Sequence, residues 1–241
     1  MAATHDGNLE TRLERLATAV TAATGDNLVA LVLYGSVTGG ARGTQSDVNL
    51  LMVLHDASAA ALHPLGDALR DWLRSGERAP LVFSLDGWRR AADVFPIEIE
   101  DIRQQHRVLR GTDPVADLAT TRDDLRRELE REARGLLIQL RASYAAAASD
   151  GKALAAVVRD SLRTVLVLFR ASLRLTDGSL PDSRDALVEA VARAAGFDPS
   201  AFRWALDQQA AARTGRLQAH DPIAAAYLDA VASFVAFVDR S

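Results

Sequence analysis

The chain has 241 residues, 49% hydrophobic and 25% charged, with a formal net charge of −4. These values are typical of a globular protein with one large domain or two small ones, and the mild acidity does not indicate a nucleic-acid partner. The absence of cysteine excludes disulfides, thiolate catalysis and Cys-ligated zinc. With no apolar run long enough for a bilayer and no apolar signal core, we expect a cytoplasmic protein without membrane association.

The first half of the chain alternates predicted helices with short apolar runs typical of buried strands. Predicted helices cover residues 8–24, 58–74 and 86–92, and predicted strands cover residues 28–33, 48–54, 81–83 and 94–102. The last strand is predicted from alternation, with Ile97 and Ile99 facing one way and Glu98 and Glu100 the other. The segment that follows, to about residue 120, is predicted to be a loop.

From residue 121 onward the pattern is helical, with no convincing strand. Predicted helices cover residues 123–148, 152–175, 183–195, 199–213 and 222–239. The change in pattern predicts two domains, an α/β domain over residues 1–120 and a helical bundle over residues 121–241.

The string that indicates chemistry is Leu-Tyr-Gly-Ser, a spacer of ten residues and then Asp-Val-Asn, placed between two predicted strands. Gly35 lets the backbone approach a phosphate closely, and Ser36 offers its hydroxyl and amide. Arg42 supplies a fixed positive charge in the glycine-containing loop. Asp47 and Asn49 alternate on the second strand, so their side chains face the same side.

This string resembles the hallmark of the nucleotidyltransferase superfamily, which includes the aminoglycoside nucleotidyltransferases and polymerase beta. That hallmark is Gly-Ser, a spacer and Asp-x-Asp between two strands. Residues 95–98 and 107–111 are also similar to a bacterial subgroup of predicted nucleotidyltransferases with a helical C-terminal domain. The resemblance implies an α+β fold class: a nucleotidyltransferase-like mixed sheet with flanking helices, followed by an all-α bundle that binds the acceptor or a partner.

The resemblance also implies a metal site. In the superfamily, two carboxylates on one strand and a third from another hold Mg²⁺ (or Mn²⁺) ions, which bridge the phosphates of ATP or another NTP and activate the attacking hydroxyl. Asp47 matches the first ligand, whereas Asn49 departs from the second. Glu98 is the candidate third carboxylate, with Glu100 and Asp101 as alternatives. Asp47 and Glu98 are thus the candidate catalytic residues, and Asn49 completes the candidate metal ligands.

The candidate nucleotide-binding residues are Gly35, Ser36, Arg42, Asn49 and Arg170. The last of these belongs to a basic stripe on the predicted helix over residues 152–175, where four arginines fall within a narrow arc: Arg159, Arg163, Arg170 and Arg174. Such a stripe either lines a cleft between the domains and meets phosphates, or is a solvated face paired with acidic residues. The five histidines show no metal-ligand spacing, and His106 is interpreted as a surface or core-edge residue.

Asn49 separates two functional hypotheses. An asparagine oxygen can ligate Mg²⁺ but brings no charge, and losing a carboxylate from a two-metal site predicts a rate lower by several orders of magnitude. The first hypothesis is a Mg²⁺-dependent nucleotidyltransferase that transfers a nucleoside monophosphate to a hydroxyl of an unidentified small molecule or protein, with weak or lost activity. The second hypothesis is a non-catalytic protein that binds a nucleotide or a partner. The sequence leaves a homodimer open.

Overall fold

The computed structural model describes residues 3–39, 48–176, 180–210 and 217–240. The chain divides into two compact units, Met1–Thr120 and Thr121–Ser241, called here the N-terminal and the C-terminal unit. Each unit has buried hydrophobic residues of its own. None of the helices within these described ranges combines the length and hydrophobicity that crossing a membrane requires.

The N-terminal unit holds a four-stranded sheet with strand order β3-β2-β1-β4. Its strands are β1 (Leu28–Tyr34), β2 (Asn49–Leu54), β3 (Leu81–Ser84) and β4 (His106–Gly111). Its helices are α1 (Ala3–Thr24), α2 (Ala59–Leu62), α3 (Leu65–Ala68), α4 (Arg70–Arg74), α5 (Leu85–Arg89) and α6 (Pro96–Gln104). The central strand β1 is antiparallel to β2 and β4, whereas β2 is parallel to β3, so the predicted mixed sheet is confirmed.

The sheet separates two hydrophobic cores because successive strand residues point to opposite faces. On one face, the α1 face, the first helix packs on strand residues that include Leu31, Leu33, Leu50 and Met52. On the other, the α6 face, residues of α5 and α6 cover the alternate positions, which include Val32, Leu51 and Val53. Both faces are therefore covered, and the central strands are apolar almost throughout, as expected for a sheet buried on both sides.

The strand predicted over residues 94–102 is wrong, because this segment forms the helix α6. Pro96 lies at the first helical position, where its fixed φ and missing amide favour a helix start. Ile99 and Ile102 are buried three residues apart against the α6 face, which is helical spacing. A second prediction is also wrong: residues 58–74 form three short helices and not one, with Pro64 preceding α3.

Strand β4 lies in a segment predicted to be a loop. Its polar composition suits its position at an edge of the sheet, where charged side chains are common. Two of its arginines reach α1: Arg107 Nη2 lies 2.9 Å from Glu10 Oε1, and Arg110 forms an ion pair with Glu14. These side chains face the helix that covers the sheet, so the basic residues of β4 help to attach α1.

The C-terminal unit is helical in its described parts. It contains α7 (Arg122–Ala147), α8 (Gly151–Leu175), α9 (Arg184–Ala195), α10 (Ser200–Ala210) and α11 (Pro222–Val238). Four of these helices begin at a side chain that accepts a hydrogen bond from a first-turn amide, namely Thr121, Asp150, Ser183 and Asp221. Phe169 lies at the centre of the core, with its ring centroid 4.8 Å from Phe234 and 5.2 Å from Phe202. The α+β fold class with a helical second part is confirmed.

Candidate nucleotide site at the end of strand β1

The turn that ends β1 is fixed by hydrogen bonds on both sides of Gly35. Its φ is +87°, a left-handed conformation that side-chain-bearing residues rarely adopt. The Gly35 amide donates to the carbonyl oxygen of Gln105 at 2.9 Å. The Gly35 carbonyl accepts from the Thr38 amide at 3.0 Å and from the Thr38 hydroxyl at 2.8 Å. The chain then continues through a short 3-10 turn, Ser36–Gly39.

Asn49 lies directly against this turn. It is the first residue of β2, half-buried, and it pairs with Tyr34, the last residue of β1. A Cβ added to Gly35 would lie 3.2 Å from Asn49 Nδ2, so the asparagine amide packs closely over the glycine. The structure thus brings together two of the residues that the sequence assigned to nucleotide binding. Asn49 can approach Gly35 closely because the turn is tight and because Gly35 has no side chain.

A third strand adds a polar residue to this end of the sheet. Tyr34 pairs with Asn49 on one side and with His106 on the other. Because cross-strand partners point to the same face, Asn49, Tyr34 and His106 form a row across β2, β1 and β4, called here the polar row. It lies on the α6 face, since Tyr34 packs with that core. All three residues are half-buried, so each keeps some exposed surface.

His106 is oriented by Asp113, in the segment just after β4. His106 Nε2 lies 3.2 Å from Asp113 Oδ2, and the Val115 amide donates to Asp113 Oδ1 at 3.0 Å. Both carboxylate oxygens therefore have partners within the protein. The sequence offered no sign of this arrangement, because the pairing of His106 with Tyr34 depends on β4, which the sequence pattern did not predict.

Carboxylates are absent from the sheet as the structure describes it: none of the strands β1 to β4 contains an aspartate or a glutamate. The strand next to β2 contributes Leu81 and Phe83 to the face that carries Asn49, since they pair with Leu51 and Val53. Within the described ranges, no group of three His, Asp or Glu side chains could hold a metal ion. The donors described here therefore do not fit a site built from several carboxylates.

The predicted third carboxylate lies on α6 and not on a strand. Glu98 is exposed in the first turn of that helix. Of its two alternatives, Glu100 accepts from Arg103 Nη1 at 2.8 Å and from Thr120, and Asp101 is half-buried. The role of Glu98 stays a prediction, but the strand that was expected to aim it at Asn49 does not exist.

The other predicted site residues lie away from this corner of the sheet or outside the residues that the structure describes. Asp47 and Arg42 fall outside the described residues, and of Ser36 only the backbone is described. Arg170 is half-buried on α8 in the C-terminal unit. Within the same predicted basic stripe, Arg159 Nε lies 2.9 Å from Asp160 Oδ1, which favours a solvated, acid-paired face for that residue.

Comparison with known proteins identifies the class of fold. No family model matches the sequence, and no curated protein matches it. Solved structures do match, and they show that the chain has the nucleotidyltransferase fold, as the Gly-Ser and Asp-x-Asn string predicted.

The solved structure that supports this is spectinomycin adenyltransferase AAD(9) from Enterococcus faecialis, determined with ATP and spectinomycin. The TM-score is 0.61, and the match covers 93% of this chain and 98% of that chain at 13% sequence identity. The match thus extends over both units of this chain, and at this identity it is a likeness of fold.

Proposed function

We propose that this chain binds a nucleoside triphosphate at the corner formed by Gly35 and Asn49, and that its transfer of a nucleoside monophosphate to an acceptor hydroxyl is weak or lost. One observation carries the proposal: Asn49 packs against the Gly35 turn, where the resemblance implies a second metal-binding carboxylate, and none of the described strands contains an aspartate or a glutamate. The fold supports nucleotide binding, whereas the donors at this corner do not support two-metal catalysis.

The loss of charge is the physical reason. A carboxylate between two divalent ions contributes several kcal/mol at close range in a poorly solvated site, and an amide oxygen contributes no charge. Since about 1.4 kcal/mol at the transition state is a tenfold change in rate, the expected deficit is several orders of magnitude. Asp47, from the sequence alone, is the remaining acidic ligand of this loop and strand. A single carboxylate with phosphates can still hold Mg²⁺ loosely.

Two measurements test the proposal. Calorimetric titration with each of the four common NTPs should detect binding, and a labelled-nucleotide transfer assay with Mg²⁺ or Mn²⁺ over a panel of aminoglycosides and other hydroxyl acceptors should detect little product. Asn49→Asp should strengthen metal-dependent nucleotide binding. Gln139→Glu adds the same charge on an exposed position of α7 and should change nothing. Failure of every NTP to bind would contradict the proposal.

An active transferase with a small-molecule acceptor is the second candidate. The likeness to AAD(9), which was crystallised with ATP and spectinomycin, favours it because the match includes the helical part of the chain. Wild-type turnover in the ordinary enzyme range of about 1 s⁻¹ or more with any acceptor would support this candidate and reject weak or lost transfer.

From the basic stripe on α8 alone, we propose Arg170 as a further nucleotide-binding residue. A guanidinium on a largely buried helix can bind a phosphate strongly, because it offers several donors in a rigid plane. Arg170→Gln should weaken NTP binding by about tenfold, the usual scale for losing one charged hydrogen bond. Arg126→Gln, on an exposed part of α7, is the matched control. Equal affinities of the two variants would remove Arg170 from the site.

A further inference from the structure

A histidine-aspartate pair lies at the end of the sheet that carries the Gly35 turn. His106 Nε2 lies 3.2 Å from Asp113 Oδ2, and 18% of the His106 side chain is exposed. A carboxylate only accepts hydrogen bonds, so Nε2 is the nitrogen that carries the proton when the imidazole is neutral. The other ring nitrogen, Nδ1, then keeps its lone pair. His106 can therefore accept a proton at Nδ1.

Asp113 is itself held by the core of the α6 face. Its Oδ1 accepts from the Val115 amide at 3.0 Å, and Val115 is only 2% exposed in that core. The carbonyl oxygen of Pro114 accepts from Trp88 Nε1 at 2.7 Å, and Trp88 is buried in the same core. A carboxylate fixed in this way can orient the imidazole of His106 and stabilise the imidazolium that protonation forms.

His106 lies one strand away from the turn at which we propose that the nucleotide binds. The residue before it, Gln105, accepts a hydrogen bond from the Gly35 amide at 2.9 Å. His106 pairs with Tyr34, which directly precedes Gly35, and neighbouring strands are about 4.8 Å apart. The side chains of His106 and Tyr34 share the α6 face with Asn49. A ligand bound to the turn on this face is therefore within reach of the imidazole.

We propose that His106 is the general base of the weak transfer reaction, and that Asp113 positions its ring. This inference rests on the proposed nucleotide-binding function and names the residue on which the remaining transfer depends. The acceptor oxygen forms a bond to the α-phosphorus of the NTP, while the bond from that phosphorus to the oxygen of the β-phosphate breaks and pyrophosphate leaves. The proton of the acceptor hydroxyl moves to Nδ1 of His106 and is later released to water.

Transfer and binding, measured separately, test the role of His106. Single-turnover transfer from an α-labelled NTP in Mg²⁺ is followed with whichever aminoglycoside or other hydroxyl compound of the acceptor panel gives most product. His106→Gln should lower the rate constant by about 100-fold, the usual scale for a general base, and should leave the NTP dissociation constant within about threefold. Added imidazole should restore part of the rate. His63→Gln, on an exposed turn, is the control and should change neither quantity.

Asp113→Asn tests the positioning role. The amide oxygen of the asparagine can still accept from the Val115 amide, so the segment keeps its hydrogen bond to the core. We expect the rate constant to fall by at least about tenfold at unchanged NTP affinity, because a neutral side chain stabilises the imidazolium less and no longer fixes the tautomer. Asp117→Asn, exposed in the same segment, is the matched control. The thermal midpoint of each variant shows that it is folded.

Chemical modification of the histidine gives a measurement that needs no turnover. Diethylpyrocarbonate modifies accessible imidazoles, and mass spectrometry of the peptides gives the rate at His106 and at His63 separately. Saturating NTP should slow the modification of His106 and leave that of His63 unchanged. If His106→Gln does not fold, this measurement and Asp113→Asn decide.

Several outcomes would overturn the inference while leaving nucleotide binding intact. They are a rate constant that is unchanged in His106→Gln, no transfer by the wild type although NTP binds, and no protection of His106 by NTP. A loss of rate in His106→Gln that is matched by an equal loss of NTP affinity would also overturn it. Failure of every NTP to bind would reject both the inference and the proposed function.

Discussion

The backbone amide of Gly35 donates a hydrogen bond of 2.9 Å to the carbonyl oxygen of Gln105, where α6 gives way to β4. The next residue, His106, pairs across the sheet with Tyr34, and Tyr34 pairs with Asn49. One hydrogen bond therefore joins the turn after β1 to the strand that supplies the histidine of the polar row. A change at Gly35 should therefore disturb this end of strands β2, β1 and β4, where the polar row lies.

Gly35→Ala should destabilise the protein and weaken nucleotide binding. The left-handed backbone costs an alanine about 1–2 kcal/mol, and the added Cβ would meet Asn49 Nδ2 at 3.2 Å. We expect a loss of roughly 2 kcal/mol in the free energy of unfolding, because both effects act together. Denaturant titration measures the loss, and NTP titration measures the accompanying loss of affinity.

Gly76→Ala is the control for the backbone effect. Gly76 has φ +85°, nearly the same as Gly35, but a Cβ there would have nothing within 4 Å. It should lose only the backbone contribution and keep full nucleotide affinity. If the two variants lose the same stability and bind nucleotide equally, the contact between Gly35 and Asn49 has no energetic role.

The sequence predicted the parts of the site that are local in the chain. Gly35 and Asn49 belong to one strand-loop-strand segment, so the apolar runs on either side were sufficient to place them near each other. The resemblance to nucleotidyltransferases rested on the same segment, and the fold it implied is confirmed.

The parts that the sequence did not predict depend on distant residues. Segment 94–102 alternates apolar and acidic residues, which over so short a length also fits a helix; Pro96 and the packing of Ile99 and Ile102 on the sheet decide for α6. Strand β4 has too few apolar residues to be recognised, because its arginines pair with α1. With β4 unrecognised, the pairing of His106 with Tyr34 could not be seen, and with residues 94–102 predicted as a strand, the lack of a strand carboxylate could not be seen either.

Installing carboxylates should create the missing metal site. Leu81 is 44% exposed on β3 and lies on the same face as Asn49, one pairing step along the strands. With strands about 4.8 Å apart and a rise of about 3.3 Å per residue, the Cα atoms of residues so placed on parallel strands are roughly 8 Å apart, within reach of two carboxylates that share an ion. Asn49→Asp/Leu81→Glu should bind Mn²⁺ more tightly than Asn49→Asp alone, by about tenfold or more, as measured by electron paramagnetic resonance.

A displaced carboxylate serves as its control. Leu73 on α4 is also 44% exposed but does not belong to the sheet. Asn49→Asp/Leu73→Glu has the same net charge as Asn49→Asp/Leu81→Glu, but it should bind Mn²⁺ no better than Asn49→Asp. Equal Mn²⁺ affinity of the two double variants would mean that β3 does not face the metal position.

Gly151 and Gly135 should respond to alanine in opposite directions. Gly151 begins α8, and a Cβ there would lie 1.8 Å from the Leu217 carbonyl oxygen, so the backbone must shift. We expect Gly151→Ala to lower the free energy of unfolding by about 1–3 kcal/mol. Gly135 lies within α7 with nothing within 4 Å of an added Cβ, and Gly135→Ala should raise stability by about 0.5–1 kcal/mol. Denaturant titration with a far-UV circular dichroism signal follows both; a stable Gly151→Ala would contradict the close packing.

The buried hydroxyl of Tyr227 should make the protein sensitive to alkaline pH. Tyr227 is 1% exposed in the core of the C-terminal unit, and its hydroxyl lies 3.0 Å from Ser161 Oγ. Burial raises the pKa of Tyr227 far above its ordinary value, and the hydrogen bond to Ser161 opposes this only in part. Above the ordinary tyrosine pKa of about 10, the unfolded chain releases a proton that the folded chain keeps. The free energy of unfolding must therefore fall as pH rises through this window.

Tyr227→Phe removes the ionisable hydroxyl. Its effect on the free energy of unfolding should therefore change sign as pH rises above the ordinary tyrosine pKa. Near pH 8 the variant should be less stable than wild type by about 1 kcal/mol, because one buried hydrogen bond is lost. Above pH 10 the wild type loses up to about 1.4 kcal/mol per pH unit relative to the variant, so the two stabilities should cross near pH 11. Denaturant titrations between about pH 8 and pH 11 follow the difference, with Tyr144→Phe on α7 as the control for losing a hydroxyl. A difference that stays constant with pH would show that Tyr227 ionises as readily in the folded chain as in the unfolded one.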